Sequence, residues 1–455
     1  MKLYNTLTRS IEELQPLNNK SVKLYTCGLT VYSQPHIGNW VGYIYWDVLQ
    51  RALSSEGYTV QRVENYTDVG HLVSDDDDGE DKMEKGARRE GKTAWEIADK
   101  YITIAKKEVE QLHLQLPTYV RATDCIDEQI EFVNQLEAKG YTYVIENEGV
   151  YFDTSKLSDY GKLARLDIAG LQQGARVEVN GKKNVSDFAL WKFSPKDKTR
   201  DMQWESPWGI GFPGWHLECS VIARENLGDQ IDIHTGGVDH IPVHHTNEIA
   251  QTESLTGKQF SQIWLHNNHL KVDGSKMSKS LGNIYSLQDI IDHGYSLMAF
   301  KLLILTKNYQ TEGNFTWEIM QASQNRYTHW QAVVDLLHQL PMDDDITVLN
   351  NIKQALLNNL NTPEALRLID DYFSDCEKQA HAPHQSVIEA IDLLLGITFD
   401  LSDIADESKA LLHERAKARE QKNWIKSDQL RDRLSASGIT VRDDASGQIW
   451  SRSAN

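Results

Sequence analysis

Val22-Lys23-Leu24-Tyr25-Thr26-Cys27-Gly28-Leu29-Thr30-Val31-Tyr32 runs into the turn Gln34-Pro35-His36-Ile37-Gly38-Asn39. The first segment is rich in β-formers and partly alternates apolar with polar residues, which predicts a strand over residues 22–32. Residues 40–53 are apolar-rich and predict a helix, and residues 59–66 predict a second strand. Strand, turn, helix and strand make a βαβ unit, which calls for a parallel sheet and an α/β fold. Ligands of such sheets bind beyond the carboxyl ends of the strands. His36 is placed there, at a helix N-terminus whose N–H groups favour an anionic phosphate.

Far downstream stands Lys276-Met277-Ser278-Lys279-Ser280, preceded by Asp273-Gly274-Ser275. Two lysines among small hydroxyl residues form a cationic, hydrogen-bonding loop. Such a loop suits a polyphosphate on which charge develops. Between the two motifs the character of the chain changes. Residues 123–206 carry a helix over 128–139, then short strands at 149–153 and 177–181, and read as an insertion between two halves of the sheet domain. The run of acids at 75–78 reads as a solvated loop or helix face. After the lysine loop, helices are expected over 286–305 and 315–340, followed by a linker at 341–345 and further helices to about 401. The resulting division is 1–122, 123–206, 207–255, 256–310, 311–404 and 405–455.

The chain of 455 residues is too long for one core. Its net charge of -19 argues against a generic basic nucleic-acid binder, though a local basic stripe remains compatible with RNA. The four cysteines, Cys27, Cys125, Cys219 and Cys376, are too far apart to read as a disulfide framework. No apolar run approaches a membrane span, and the first residues lack a signal-peptide core, so a cytoplasmic protein without a membrane partner is expected.

The HIGN turn paired with KMSKS resembles the class I aminoacyl-tRNA synthetases, in which a HIGH-type turn and a KMSKS loop hold ATP from two sides of a split Rossmann fold. The resemblance implies a Rossmann-type parallel-sheet catalytic domain with an inserted subdomain, then an α-helical bundle and a small C-terminal anticodon-binding module. His36, Asn39, Lys276 and Lys279 carry over as catalytic residues. They bind ATP together with Gly38, Gly236 and Asp239, with Mg2+ on the nucleotide. Trp264 is expected near the adenosine. Asn39 replaces the motif's histidine and keeps a hydrogen-bond donor without a titratable group.

A second set of residues indicates the amino acid. Cys27 ends the strand before the turn, Cys219 follows a glycine-rich bend, and His244 and Glu248, four apart, share a helix face. Two thiolates, an imidazole and a carboxylate suit Zn2+. Spacing does not choose between His244 and His245. Residues 242–248 resemble the family's PHHENE pattern, which favours His244, with Val243 inserted. This set resembles the cysteinyl-tRNA synthetase family, and the match runs nearly end to end. It includes Cys27-Gly28-Leu29-Thr30-Val31-Tyr32, Asn65-Tyr66-Thr67-Asp68, Gly214-Trp215-His216-Leu217-Glu218-Cys219-Ser220 and Trp264-Leu265-His266-Asn267. Trp40-Val41-Gly42 departs from the commoner Ala-Arg-Pro after the turn.

The family implies one zinc per chain on Cys27, Cys219, His244 and Glu248, with Cys27, Thr67 and Trp215 around the substrate cysteine. It implies L-cysteine, ATP and tRNA(Cys) as partners and a monomer. In the C-terminal module, Arg415, Lys417, Arg419, Lys422, Lys426, Arg431 and Arg433, with Trp424 among them, are expected to meet the anticodon. The alternatives are a cysteine ligase of the mycothiol pathway, which lacks that module, and a zinc-containing RNA-binding paralogue without catalysis.

Overall fold

The computed structural model describes residues 1–70, 81–166, 181–195, 200–278, 281–444 and 447–452. The chain divides into two compact units. The first comprises residues 1–46, 56–111 and 115–269; the second comprises 47–55, 112–114 and 270–455.

The first unit is built on a five-stranded sheet. In chain order its main elements are β1 (Ser21–Thr26), α1 (Ile37–Ser55, of which residues 37–46 belong to this unit), β2 (Thr59–Tyr66), α2 (Ala94–Gln111) and β3 (Thr118–Arg121). Then come α3 (Trp215–Leu227), β4 (Ile231–Gly237), α4 (His244–Thr256) and β5 (Ser261–Asn267). The strand order is β5-β4-β1-β2-β3, and every pairing is parallel. Leu24 of β1 sits in register with Arg62 of β2 on one side and Ile233 of β4 on the other. The chain winds outward from β1 through β2 and β3, then returns to the far side of β1 as β4. The order therefore reverses between β1 and β4, and the crevice beyond their carboxyl ends is the ligand position of such sheets.

β1 is central, and Val22, Leu24, Tyr25 and Thr26 are all buried, as expected of a strand covered on both faces. The strand stops at Thr26 rather than running to residue 32. Beyond it Cys27 N–H still reaches the Thr235 carbonyl at 3.1 Å, and Cys27 and Gly28 stand at the crevice. Gly28 is required there: a Cβ would lie 1.7 Å from the Asn65 carbonyl oxygen.

The insertion forms a four-stranded antiparallel sheet from Thr142–Ile145, Gly149–Phe152, Phe188–Phe193 and Gly211–Pro213. It extends past residue 206, because Gly211–Pro213 pairs with Phe188–Phe193 before the chain enters α3. The parallel sheet likewise runs past residue 255, since β5 lies outside β4. Phe152, Leu190 and Trp191 of the insertion share one core with Tyr25, Leu217, Ile231 and Trp264. Each large apolar side chain withdrawn there contributes about 1.5–3 kcal/mol. The helix read at 128–139 spans Ile126–Ala138. Residues 75–78 and 177–180 lie outside the described residues.

The second unit is mainly helical. The helix read over 286–305 is two, Leu287–Asp292 and Leu297–Leu305, broken where Gly294 takes φ +81° and Ser296 caps the second. The helix read over 315–340 is Trp317–Val334 followed by the tighter turn Asp335–His338. At the C-terminus, helices Asp406–Glu420 and Trp424–Ala436 precede an antiparallel hairpin, Ile439–Asp444 with Gly447–Arg452. Ile404, Leu412, Leu434, Ile439 and Trp450 form its small core. Among the described residues no helix is long and apolar enough to cross a membrane.

Candidate active site and metal centre

The crevice between β1 and β4 gathers donors from three elements. Cys27 follows β1, Cys219 sits on α3, and His244 and Glu248 lie one turn apart on α4. All four are buried, and their donor atoms lie within 4.8 Å of one another. Cys27 Sγ is 3.9 Å from Cys219 Sγ and 3.8 Å from Glu248 Oε1. His244 Nε2 is 3.0 Å from the same carboxylate oxygen.

A second set shares two of these residues: Cys27, His234, His245 and Glu248. His245 Nε2 lies 3.3 Å from Cys27 Sγ. The outer partners separate the two sets. Glu248 turns its second oxygen to His234 Nε2 at 2.8 Å, while His244 turns Nδ1 to His216 Nδ1 at 3.0 Å. Both α4 residues of the first set are thus oriented from behind, as ligating histidines and carboxylates usually are. In the second set His234 already turns Nε2 to Glu248, and its Nδ1 is buried without a protein partner. His245 is tied from behind as well, to His266, which in turn meets Thr6.

The charge balance also calls for a cation. Burial opposes ionisation of the Cys27 thiol and pushes it well above its ordinary value, and Cys219 and Glu248 add to this. Burial also opposes a charged His244, but Glu248 and Cys219 outweigh it and raise the ring to about 10. His234 and His244 hold Glu248 far below the carboxylate range against its burial. The cluster thus draws a proton onto His244 where a metal would otherwise compensate the buried negative charge. The donor set, two soft sulfurs with nitrogen and oxygen, fits Zn2+.

Asn65, at the end of β2, was not singled out from sequence, yet it organises this crevice. Its Oδ1 accepts from Gly28 N at 2.8 Å and Tyr25 OH at 3.2 Å, and lies 3.6 Å from Cys219 Sγ. Its Nδ2 donates to Thr67 Oγ1 at 2.9 Å, and Thr67 passes its own proton to Glu218 Oε2 at 3.0 Å. Thr67 is buried within this chain of bonds. Trp215 is half-buried, with its ring 4.6 Å from that of His244.

The HIGN turn stands at the start of α1. His36 N–H donates to Asn39 Oδ1 at 2.9 Å, so the side chain of Asn39 closes the turn with its oxygen and keeps its amide N–H groups as donors. His36 Nδ1 is buried and has no protein partner. Burial lowers the His36 pKa, which keeps the ring neutral near pH 7. Gly236 ends β4 closely against two rings: a Cβ there would lie 2.6 Å from His245 Cε1 and 2.7 Å from His240 Nδ1. Asp239 is exposed and pairs with His269 at 3.0 Å. Trp264 is buried and stacks on His234 with centroids 4.4 Å apart, so its ring packs in the core.

The KMSKS loop belongs to the second unit. Asn283 clasps it, accepting from Ser278 N–H at 2.8 Å and donating to the Lys276 carbonyl at 3.3 Å. Lys276 is exposed. Gly274 takes φ +72°, which frees the chain to turn ahead of the lysines. Lys279 lies outside the described residues.

In the C-terminal module the basic cluster divides. Arg415 is 2% exposed and grips Asp443 through two nitrogens at 2.9 and 2.8 Å, so it braces the hairpin and is not free to meet RNA. Lys417, Lys422, Lys426, Arg431 and Arg433 are exposed. Trp424 is 55% exposed, with the Arg419 guanidinium 5.5 Å from its ring.

A strand order that reverses beside a metal-fitted crevice, with HIGN at that end of the sheet, defines a class I aminoacyl-tRNA synthetase fold. Solved structures share it. Mycobacterium tuberculosis methionyl-tRNA synthetase in complex with methionyl-adenylate superposes with a TM-score of 0.57 at 15% identity, over 83% of this chain and 88% of that one. Residues 13–325 match the family "tRNA synthetases class I (C) catalytic domain", and residues 401–450 match "Cysteinyl-tRNA ligase anticodon binding domain". Cysteine–tRNA ligase 1 of Burkholderia lata is 43% identical over 98% of this chain and 96% of its own length. Cysteine–tRNA ligase of Treponema denticola is 38% identical, covering 99% of each. The chain belongs to the cysteine–tRNA ligase family.

Proposed function

We propose that the chain joins L-cysteine to tRNA(Cys) in two steps, through a cysteinyl-adenylate. The buried Cys27, Cys219, His244 and Glu248 constellation at the crevice carries this reading. In the first step a cysteine carboxylate oxygen attacks the α-phosphorus of Mg2+-bound ATP, and pyrophosphate leaves. In the second a terminal ribose hydroxyl of the tRNA attacks the activated carbonyl, and AMP leaves. The protein's main contribution is placement together with donors for the developing charge. His36, the α1 N-terminus and the amide of Asn39 serve one side of the nucleotide, with Gly38 allowing close approach. Lys276 and Lys279 supply cationic donors for the phosphates. Gly236 and Asp239 flank the nucleotide, and Thr67 and Trp215 border the amino acid.

Cys27, Cys219, His244 and Glu248 would hold one zinc, which supplies a soft Lewis acid that prefers the substrate thiolate to the serine hydroxyl. An apolar pocket alone separates such similar side chains poorly. The anticodon-domain match at residues 401–450 favours this reading over a ligase that lacks the module. ATP–pyrophosphate exchange, with cysteine and serine as paired substrates, followed by charging of total tRNA, tests it. Cysteine-dependent exchange without charging of any tRNA would contradict it.

Two further outcomes follow. Asn65→Ala is expected to raise the KM for cysteine about tenfold, since it strips partners from Gly28 N–H and Thr67 at about 1–3 kcal/mol per buried group left unpaired. Initial-rate exchange kinetics read this directly. Trp424→Ala is expected to raise the KM for tRNA by about tenfold or more, because a base stacked on an aromatic ring is worth about 1–3 kcal/mol. Exchange in the absence of tRNA should be unchanged, and equal loss in both assays would contradict an RNA contact.

A further inference from the structure

A buried carboxylate stands against the helix end of the HIGN turn. Glu108, on α2, is 5% exposed. It accepts a hydrogen bond from Trp40 Nε1 at 2.8 Å. Trp40 follows Asn39 directly, so this bond ties down the end of the turn that enters α1. The turn itself is closed by its own bonds, His36 N–H to Asn39 Oδ1 and Asn39 N–H to the His36 carbonyl, each at 2.9 Å. Its remaining freedom is movement as a unit, and this is what the Glu108 contact opposes.

The helix start is fixed from another direction by Gly42. A Cβ at Gly42 would lie 2.7 Å from Asn267 Oδ1 at the end of β5. α1 therefore lies close against the Asn267 side chain at the sheet end. Trp40 and Gly42 belong to the very stretch, Trp40-Val41-Gly42, in which this chain departs from the commoner family text. Trp40 is 1% exposed, and a buried indole N–H requires an acceptor. Glu108 is that acceptor. Burial pushes its carboxyl up to about 7, and the bond from Trp40 acts in the opposite sense, favouring the carboxylate.

We propose that Glu108 is a positioning residue for the nucleotide side of the reaction, holding the His36–Asn39 turn in place through Trp40. The proposal rests on the reading that this turn receives ATP. Glu108 touches no substrate, so its removal should act on ATP and leave cysteine binding alone. A misplacement on the order of 1 Å at a reacting group costs about a hundredfold, so a partial loosening of the turn should be readily measured.

The test is ATP–pyrophosphate exchange with the full-length protein, varying ATP and cysteine separately. Glu108→Ala removes the acceptor, and Trp40→Phe removes the indole donor while keeping a ring in the core. Each should lower kcat/KM for ATP by about tenfold or more and leave the KM for cysteine and the zinc content within twofold. Glu108→Gln retains an acceptor for Trp40 and should restore most of the loss. The double variant should be little worse than Glu108→Ala alone, since both act through one contact. If ATP and cysteine parameters shift alike, with zinc content falling, Glu108 is a packing residue and the inference is overturned. His36→Ala is the control for the underlying reading. If it slows exchange while Glu108→Ala and Trp40→Phe do not, only this inference fails. If His36→Ala leaves exchange intact, the nucleotide assignment of the turn fails with it.

Discussion

Replacing Cys219 by alanine is expected to abolish stoichiometric zinc and to lower cysteine-dependent exchange by about a thousandfold, or about 4 kcal/mol of lost transition-state stabilisation. Cys219 is 2% exposed on α3, and its sulfur is one of only two in the crevice. Its loss removes a soft ligand and leaves Cys27, His244 and Glu248 around a smaller, harder set. The neighbouring geometry does not supply a substitute. His234 Nε2 already serves Glu248, and both nitrogens of His245 are taken, by Cys27 and His266. Metal analysis on the purified variant, beside exchange kinetics, checks both parts. Cys125→Ala and Cys376→Ala serve as controls, because neither cysteine belongs to a metal-ligating cluster among the described residues. Both should retain zinc.

Gly28→Ala should be as damaging for a steric reason. The added Cβ would fall 1.7 Å from the backbone oxygen of Asn65 and 2.8 Å from its carbonyl carbon. Neither is the movable end of a side chain. Relief requires β1 and β2 to separate where the register brings Thr26 opposite Glu64, just before Cys27 and Asn65. That movement breaks the Gly28 N–H bond to Asn65 and displaces Cys27 from Cys219. The cost is on the order of 4–5 kcal/mol or more, in the range reserved for severe single substitutions. The expected result is little folded, zinc-containing catalytic unit, read by metal content and thermal unfolding. A Gly28→Ala protein with wild-type zinc and exchange would show that the strand ends are not locked in this way.

The sequence made the βαβ unit legible because β1, α1 and β2 follow one another and pair directly. It could not show that β4 lies against β1, a pairing that joins Leu24 to Ile233 across the whole insertion. Nor could it show that Gly211–Pro213 joins the antiparallel sheet or that β5 lies beside β4, because partners and not composition place these segments. In the crevice, Cys27, Cys219, His244 and Glu248 could be named because metal-ligating side chains are distinctive. Asn65, Glu218, His216, His234 and His266 could not be assigned, since a buried polar residue that orients another looks like any other polar residue in a sequence. A usable signal did exist for His234. It sits in the strand Ile231-Asp232-Ile233-His234, where a polar side chain in a sheet covered on both faces requires a partner, and it finds Glu248. Arg415 shows the converse. Its basic neighbours suggested RNA, but the side chain turns inward to Asp443, a direction that charge patterning does not reveal.

The most direct measurement is ATP–pyrophosphate exchange with cysteine and with serine, on protein as purified, after zinc chelation, and after zinc is restored. The expected result is strong preference for cysteine in the zinc-loaded protein, loss of cysteine-dependent exchange on chelation, and recovery with roughly one zinc per chain. Full cysteine activation by metal-free protein would contradict the account.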